Sequence, residues 1–290
     1  MMVLLSSYRS PETLGHLRGL HRDYMEQPFE ISLETLALCN AACTFCPYPT
    51  LERKGEKMPS ELIYRLIDEM AGFTLPFTFS PFKVNEPLLD KRIFDICDAV
   101  AANTLASIRI FTNGSPLTAK NIDRLAGLES IEHVWISLNS VNWEEYQALM
   151  GLEFDKVARN LDRLHNTQDF PHPVVVSSVG VPNDEFIRYC KERWPRFRAG
   201  LIPNAGWLGY VEPDYHEIPN EPCSRWWELS VMSSGVVSLC CMHSGNDNQW
   251  NIGDLNNQSL LEVYNSPHWR ERREELISRR EIEPCWRCTY

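Results

Sequence analysis

The sequence has no long hydrophobic run and no excess of positive charge. None of its 290 residues belongs to an uninterrupted apolar stretch of about 18, the length that a membrane-spanning helix needs. Lys and Arg number 28 against 39 Asp and Glu, which gives a net charge of −11. An acidic surface repels phosphate backbones, so neither nucleic acid nor a membrane is expected as a partner. The N-terminal residues lack the features of a secretory leader, and we therefore expect a cytoplasmic protein.

Cysteine, in contrast, is abundant. The chain has ten cysteines, and disulfides are rare in a reducing cytoplasm. Eight of the ten fall into two groups at spacings typical of metal ligands, so metal binding explains them better than disulfides do. Cys97 and Cys190 lie instead in helical patterns, and we interpret them as ordinary helix residues.

Six strand-like segments alternate with helical segments between residues 28 and 204. This order predicts an α/β fold with a parallel sheet that curls into a partial (β/α)6 TIM-like barrel. The alternation ends near residue 205, where a connector leads to two short strands and a small C-terminal domain. We therefore divide the chain into an N-terminal extension (1–27), the barrel (28–204), and the connector with the small domain (205–290).

Four strand ends of this barrel carry polar or thiol side chains. Cys39 follows the first predicted strand, Glu86 the second, Asn113 the third and Asn139 the fourth. Ligands of such barrels bind at the C-terminal ends of the strands, so these side chains are predicted to line one site.

The first cysteine group, Cys39, Cys43 and Cys46, has the spacing C-x3-C-x2-C. Thiolates favour iron–sulfur clusters and zinc. A structural zinc site has four protein ligands, and the nearest further candidate, His21, lies upstream of the first strand. Three cysteines on a 4Fe–4S cluster would leave one iron open for another molecule.

This cysteine loop, with Phe45 before its last cysteine, resembles that of the radical S-adenosylmethionine (SAM) superfamily. The resemblance implies that the open iron binds SAM and that SAM is cleaved to a 5′-deoxyadenosyl radical, which abstracts a hydrogen atom from a substrate. Glu86 and Pro87 match the family's Gly-Gly-Glu-Pro motif, in which the two glycines are replaced here by Val84 and Asn85. Glu86 would then bind the SAM ammonium group.

The resemblance extends to the segments after the third and fourth strands. There it implies that Thr112, Asn113, Ser137 and Asn139 line the SAM ribose and carboxylate. Asn and Ser are also common in turns, which is the alternative explanation for them.

The second cysteine group lies in the last 68 residues of the sequence (Cys223, Cys240, Cys241, Cys285 and Cys288). Its spacing resembles the SPASM/twitch extension of radical SAM enzymes, in which a cysteine follows a hairpin glycine by five positions, as Cys240 follows Gly235. The resemblance implies that Cys223, Cys240, Cys285 and Cys288 bind one auxiliary 4Fe–4S cluster, as in the shorter twitch form. Cys241 replaces Cys240 or is a free thiol. Spacing alone also permits a zinc ribbon.

A cluster with four cysteine ligands is suited to moving an electron, which a two-electron oxidation requires. The short chain and the single auxiliary cluster resemble those of dehydrogenases of aminoglycoside biosynthesis. The resemblance implies dehydrogenation or epimerisation of a sugar, aminocyclitol or aminoglycoside, with a flavodoxin or ferredoxin as reductant. Maturation of a ribosomally made peptide is an alternative, although only 27 residues precede the first predicted strand. A non-enzymatic electron-transfer protein is a second alternative.

Residues that contact the substrate leave few marks in the sequence. Cys241 is a candidate hydrogen donor, His243 a candidate proton acceptor and Arg198 a candidate substrate clamp. The connector is predicted to cover the barrel mouth, and its candidates are Asn204, Trp207, Tyr210, Tyr215 and His216.

Overall fold

The computed structural model describes residues 11–180, 183–213 and 217–289. The strands are β1 (Glu30–Leu33), β2 (Phe77–Ser80), β3 (Ala106–Thr112), β4 (Ile131–Ser137), β5 (Val174–Val179), β6 (Arg198–Ile202), β7 (Glu228–Val231), β8 (Val236–Ser238) and β9 (Asn251–Asp254). The α-helices are α1 (Pro11–Asp23), α2 (Ser60–Ala71), α3 (Ile93–Asn103), α4 (Ala119–Ala126), α5 (Trp143–Met150), α6 (Phe154–Asn166), α7 (Asp184–Arg193), α8 (Leu260–Tyr264) and α9 (Pro267–Glu275).

The first six strands form a parallel sheet in the order of the sequence, β1 to β6, with helices between successive strands. This confirms the α/β partial barrel. The strands alternate in burial, because residues such as Ile110 and Val134 pack against the helices while Phe111 and Trp135 on the other face stay partly exposed. The barrel interior is therefore lined by aromatic and polar side chains.

The C-terminal region continues the same sheet. β7 pairs in parallel with β1, with Glu228 opposite Glu30, and β8 and β9 follow as antiparallel strands. The turn between β7 and β8 contains Gly235 at φ 87°, a backbone conformation that favours glycine. The sequence predicted only two strands here. It missed β9, since Asn, Gly and Asp are poor strand formers and only the pairing with β8 makes this segment a strand.

The cysteines assigned to helices lie where they were predicted. Cys97 is buried in α3 and Cys190 is buried in α7. Within the described residues, no helix combines the length and the apolar character that crossing a membrane requires.

Candidate functional site

The first cysteine group lies in the loop after β1, at the C-terminal edge of the sheet. The end of α5 holds this loop, because the backbone N–H groups of Ala42 and Thr44 donate to the carbonyls of Met150 and Leu149 over 2.9 and 3.0 Å. The loop also closes on itself through the Cys46 N–H, which donates to the Cys43 carbonyl over 3.2 Å.

The chemistry of these three thiols fits an iron–sulfur cluster. Burial raises the pKa of Cys39 to about 11 and the pKa of Cys46 to about 12, and it raises the pKa of Cys43 further, with an added effect from the neighbouring sulfurs. Grouped, buried thiols of this kind ionise when a cationic metal binds them. Among the described residues, no three His, Cys, Asp or Glu side chains converge as ligands of a single metal ion.

Two aromatic residues lie close to this loop. Trp207 of the connector packs against the apolar pocket that contains Cys39 and Cys46. Phe45 is half-buried and packs against the main core. Trp207 thus packs against the same small apolar cluster as two of the three cysteines.

Glu86 lies beside the cysteine loop and is almost fully buried. Its carboxylate accepts hydrogen bonds from the Thr112 hydroxyl (2.9 Å), the Asn113 N–H (2.7 Å) and the Leu88 N–H (3.2 Å). Burial nevertheless raises the pKa of Glu86 to about 7. Because a carboxylate offers about four acceptor positions, Glu86 retains capacity for an ammonium group.

Asn113 connects the third strand to the cysteine loop. Its side-chain amide donates to the Asn40 side chain over 2.9 Å and lies 3.9 Å from the Cys39 sulfur. Asn40 in turn donates to the Ser115 hydroxyl over 2.7 Å. The structure therefore brings Glu86, Thr112 and Asn113 together at the first cysteine group.

Among the described residues, the two candidates at the end of the fourth strand, Ser137 and Asn139, make no hydrogen bond to the cysteine loop. Asn139 has φ 67°, and its side chain accepts from the Val179 N–H (3.0 Å) and contacts the Met150 sulfur (2.9 Å). Its polar atoms therefore contact the protein itself. Ser137 is partly exposed at the end of β4, opposite Ser177.

The second cysteine group is gathered from three separate segments. Cys223, Cys240, Cys285 and Cys288 are all buried and line one cavity. Apolar side chains and two guanidinium groups complete the wall of this cavity (Leu208, Trp226, Leu239, Met242, Arg225 and Arg279). Four buried cysteines that line one cavity fit a fully ligated 4Fe–4S cluster.

Cys241 is not among the residues that line this cavity. Its thiol lies close to Arg225, Glu228 and Lys83, and burial raises its pKa to about 12. Cys240 instead lies among the thiols of Cys223, Cys285 and Cys288. The two adjacent cysteines thus face different surroundings.

The other two candidate catalytic residues are His243, which is buried, and Arg198, which lies at the opposite end of its strand from the cysteine loop. His243 is fully buried, and burial together with the charge of Lys83 lowers its pKa to about 4. Arg198 is exposed at the start of β6, the end of the strand opposite the edge that carries the cysteine loop. This position does not bring it to the first cysteine group.

The remaining candidates in the connector do not share one environment. Asn204 donates to the Glu212 carbonyl over 3.1 Å, and Tyr210 is exposed. Tyr215 and His216 lie outside the described residues.

Sequence reasoning missed Lys83, which directly precedes the Glu86 segment. Its side chain is almost fully buried, and its Nζ donates to the hydroxyls of Ser230 (2.9 Å) and Ser238 (2.7 Å) and to the Cys240 carbonyl (3.1 Å). Burial lowers its pKa to about 8, so the ammonium form still prevails near neutral pH. The sequence did contain a signal for this buried cation, since Lys83 stands between the apolar residues Phe82 and Val84.

Sequence reasoning also missed a contact between the two cysteine regions. Arg53 donates from Nε to Glu34 Oε2 over 2.8 Å, from Nη2 to Glu34 Oε1 over 3.1 Å, and from Nη1 to the Ser244 carbonyl. The Asn246 side chain donates to the Thr50 carbonyl over 3.0 Å. The loop after the first cysteine group is therefore bound to the loop after Cys240.

The barrel interior below these loops has an aromatic wall. The ring centroids of Phe82 and Phe111 lie 5.2 Å apart, those of Phe111 and Trp135 6.0 Å, and those of Trp135 and His133 5.7 Å. All four rings are partly exposed.

Charged side chains lie below the aromatic wall. Arg109 donates to Glu132 over 2.8 Å and lies 3.5 Å from Glu30, and Arg225 pairs with Glu228. Burial raises the pKa of Glu228 to about 8.

Comparisons with known proteins agree with this geometry. The family model for the radical SAM superfamily matches residues 33–190, and the model for an iron–sulfur cluster-binding domain, SPASM, matches residues 223–289.

Solved structures share the fold. BtrN in complex with AdoMet and 2-DOIA is 17% identical, with a TM-score of 0.65 over 90% of this chain and 93% of that one. Streptococcus suis SuiB bound to the precursor peptide SuiA is 15% identical, with a TM-score of 0.68 over 97% of this chain and 75% of that one. A third structure, anSMEcpe with bound AdoMet, is 14% identical, with a TM-score of 0.58 over 86% of this chain and 82% of that one.

Proposed function

The chain belongs to the radical SAM superfamily, and from this we propose that it removes a hydrogen atom from a small polar metabolite, a sugar, aminocyclitol or aminoglycoside, in a dehydrogenation or an epimerisation. The bound SAM and 4Fe–4S clusters supply the reductive cleavage, the radical and an acceptor for the electron of the substrate. We further propose that the protein works in the cytoplasm with a flavodoxin or ferredoxin as reductant.

The aromatic and charged lining of the barrel interior carries the substrate proposal. The four rings of the wall offer flat faces to a small cyclic molecule, and an aromatic face also attracts an ammonium group. The carboxylates of Glu30 and Glu132 with Arg109 provide partners for hydroxyl and amino groups. A compact substrate with many polar groups suits such an interior.

The chain's own residues hold the cofactors in this proposal. Cys39, Cys43 and Cys46 bind the SAM cluster, and Cys223, Cys240, Cys285 and Cys288 bind the auxiliary cluster. Glu86 orients SAM through its ammonium group, and the Thr112 and Asn113 hydrogen bonds fix the carboxylate in place. Phe45, Ser137 and Asn139 complete the surroundings of SAM.

Cys241 and Glu228 are the groups proposed to act on the substrate. The thiol of Cys241 lies beside Glu228, outside the cysteine cavity. In an epimerisation, the thiol of Cys241 gives a hydrogen atom to the carbon from which one was removed. The thiyl radical left on Cys241 would return to the thiol by taking up one electron, supplied by the reductant, and one proton from solvent.

In a dehydrogenation, the substrate loses a hydrogen atom from carbon, a proton from its hydroxyl group and one electron. Because burial raises the pKa of Glu228 to about 8, only the ionised fraction of this carboxyl group accepts the proton, and that fraction grows as the pH rises toward 8.

Maturation of a ribosomally made peptide is the second candidate function. In the described residues β6 ends the sheet without a further strand on its outer side, and an open edge can accept an extended peptide as an added strand. A peptide bound there would place its side chains near Arg198.

The test is a hydrogen-transfer assay on anaerobically reconstituted enzyme. Aminocyclitols, aminosugars and aminoglycosides deuterated at their carbinol carbons are incubated with SAM and reductant, and 5′-deoxyadenosine is examined for deuterium. The proposal predicts deuterium transfer from at least one such compound. Transfer only from a deuterated peptide would support peptide maturation instead and overturn the metabolite proposal.

The same assay separates the two reactions. A ketone product with no solvent hydrogen incorporated identifies a dehydrogenation. A product with one solvent-derived hydrogen identifies an epimerisation, and in that case Cys241→Ala abolishes product formation while the matched variant Cys190→Ala, in α7, does not.

A further inference from the structure

We propose that Lys83 and Arg272 are buried counter-charges of the auxiliary cluster, positioning its loop and raising its reduction potential so that it accepts an electron from the substrate. The inference rests on the proposed function, since it presupposes that Cys223, Cys240, Cys285 and Cys288 hold this cluster.

The contacts of Lys83 make it the stronger of the two cations. All three oxygens that accept from its Nζ belong to neutral groups, two serine hydroxyls and the Cys240 carbonyl. The nearby Glu34 carboxylate acts on Lys83 but is already paired with Arg53, and no carboxylate among the described residues forms an ion pair with Lys83 itself. Lys83 therefore carries a positive charge into the interior, and its hydrogen bonds do not cancel that charge.

A buried charge without an opposite charge is strongly unfavourable. The missing negative charge is available next to Lys83, because a 4Fe–4S cluster with four thiolate ligands is an anion. Its negative charge increases by one when the cluster is reduced, so a fixed cation stabilises the reduced form more than the oxidised form.

Arg272 of α9 provides a second cation near the cysteines. Its guanidinium is buried near the thiols of Cys285 and Cys240. It stacks on Trp269 at 5.3 Å and contacts the His268 ring nitrogen at 3.1 Å, and neither partner is a carboxylate. Its Nη1 has no hydrogen-bond partner among the described residues.

Lys83 also connects the two cofactor sites in the chain. It lies three residues before Glu86, which we assign to SAM, and it binds the carbonyl of Cys240, which we assign to the auxiliary cluster. A rigid link of this length keeps the electron acceptor at a fixed position relative to the segment that orients SAM. We therefore describe Lys83 and Arg272 as positioning residues, which act through the cluster and do not touch the substrate.

The test measures the potential of the auxiliary cluster by itself. The Cys39/Cys43/Cys46→Ala triple variant removes the SAM cluster, and the remaining cluster is titrated with dithionite while its EPR signal is followed. Lys83→Met and Arg272→Met are introduced in this background. Lys120→Met, which removes an exposed lysine of α4, is the matched control.

We expect Lys83→Met to lower the equilibrium constant for reduction at least tenfold, which is about 59 mV for a one-electron couple. Arg272→Met shifts the potential in the same direction, and Lys120→Met leaves it unchanged. A merely structural role for the two cations would leave the potential unchanged.

Unchanged potentials in both variants, with about four irons retained, would overturn the counter-charge proposal and leave the proposed function intact. If Lys83→Met fails to retain its cluster, the Arg272→Met potential decides the question. Absence of iron from the triple variant itself would instead contradict the auxiliary cluster, and with it both proposals.

Discussion

The two cysteine regions differ in how the chain builds them. The first group comes from one loop of eight residues, and its three cysteines are only partly buried beside a carboxylate, Glu86. The second group comes from three segments that are 17 and 45 residues apart in sequence, its four cysteines are buried, and its neighbours are cations.

This difference separates two kinds of chemistry in one chain. Three ligands and an accessible loop leave room for a small molecule that carries an ammonium group, for which Glu86 is the complement. Four cysteine ligands would leave no open iron for such a molecule, and the surrounding positive charge favours the acceptance of an electron. The first region is thus suited to binding the molecule that starts the reaction, and the second region is suited to accepting the electron that the substrate loses.

Removing a cysteine of the first region gives the largest expected effect. Cys43→Ala is expected to abolish 5′-deoxyadenosine formation, because two cysteines no longer hold the cluster that binds SAM. Chromatographic assay of 5′-deoxyadenosine after anaerobic reconstitution measures the effect. Undiminished formation would show that this loop does not bind the cluster, whereas the control Cys97→Ala, in α3, is expected to retain activity.

Removing a cysteine of the second region should have a different result. Cys285→Ala is expected to lose about four irons and all dehydrogenated product, while 5′-deoxyadenosine still forms without a matching product. Iron analysis and product quantification on the same sample measure both. Loss of 5′-deoxyadenosine as well would indicate that the two regions do not act separately.

Breaking the contact between the two regions should destabilise the fold. Arg53→Met leaves the fully buried Glu34 carboxylate without its ion-pair partner, and loss of one member of a buried pair costs about 3–5 kcal/mol of unfolding free energy. Urea denaturation of the metal-free protein measures the change. Arg22→Met, which removes an exposed arginine, is the control and should change little; equal effects of the two substitutions would contradict this reading.

Neutralising Glu86 should have the smallest of these effects. Glu86→Gln is expected to weaken SAM binding by about 1.5–3 kcal/mol, the strength of a hydrogen bond to a charged group. Because burial raises the pKa of Glu86 to about 7, the carboxylate is protonated below that pH, and wild-type affinity should increase as the pH rises through 7.

Anaerobic equilibrium dialysis between pH 6 and 8 measures this affinity. The Glu86→Gln variant should lose the pH dependence, and Glu144→Gln, an exposed position on α5, should keep it. Identical pH profiles for wild type and Glu86→Gln would remove Glu86 from the SAM site.

The sequence predicted the parallel barrel because its alternation of strands and helices is regular. It also predicted the gathering of Glu86, Thr112 and Asn113 at Cys39, since strand ends of a parallel sheet share one edge. The four cysteines that line one cavity follow from their spacing and the resemblance. These predictions depend on local pattern and topology.

Other features depend on three-dimensional packing. Whether Cys240 or Cys241 lines the cavity depends on the backbone conformation after β8, and no sequence pattern predicts that conformation. Lys83 and Arg53 contact residues more than 150 positions away, so their roles require the folded chain. The enclosure of His243 and the position of Arg198 likewise follow from burial and strand order.

The central claim, one open and one closed cluster, is tested most directly by iron and sulfide analysis combined with EPR. Wild type and the Cys39/Cys43/Cys46→Ala triple variant are reconstituted anaerobically, reduced, and examined with and without SAM. The account predicts about eight irons falling to about four, with SAM changing the EPR spectrum of the wild type only. About four irons in the wild type, zinc in the same sample and loss of all iron from the triple variant would contradict it.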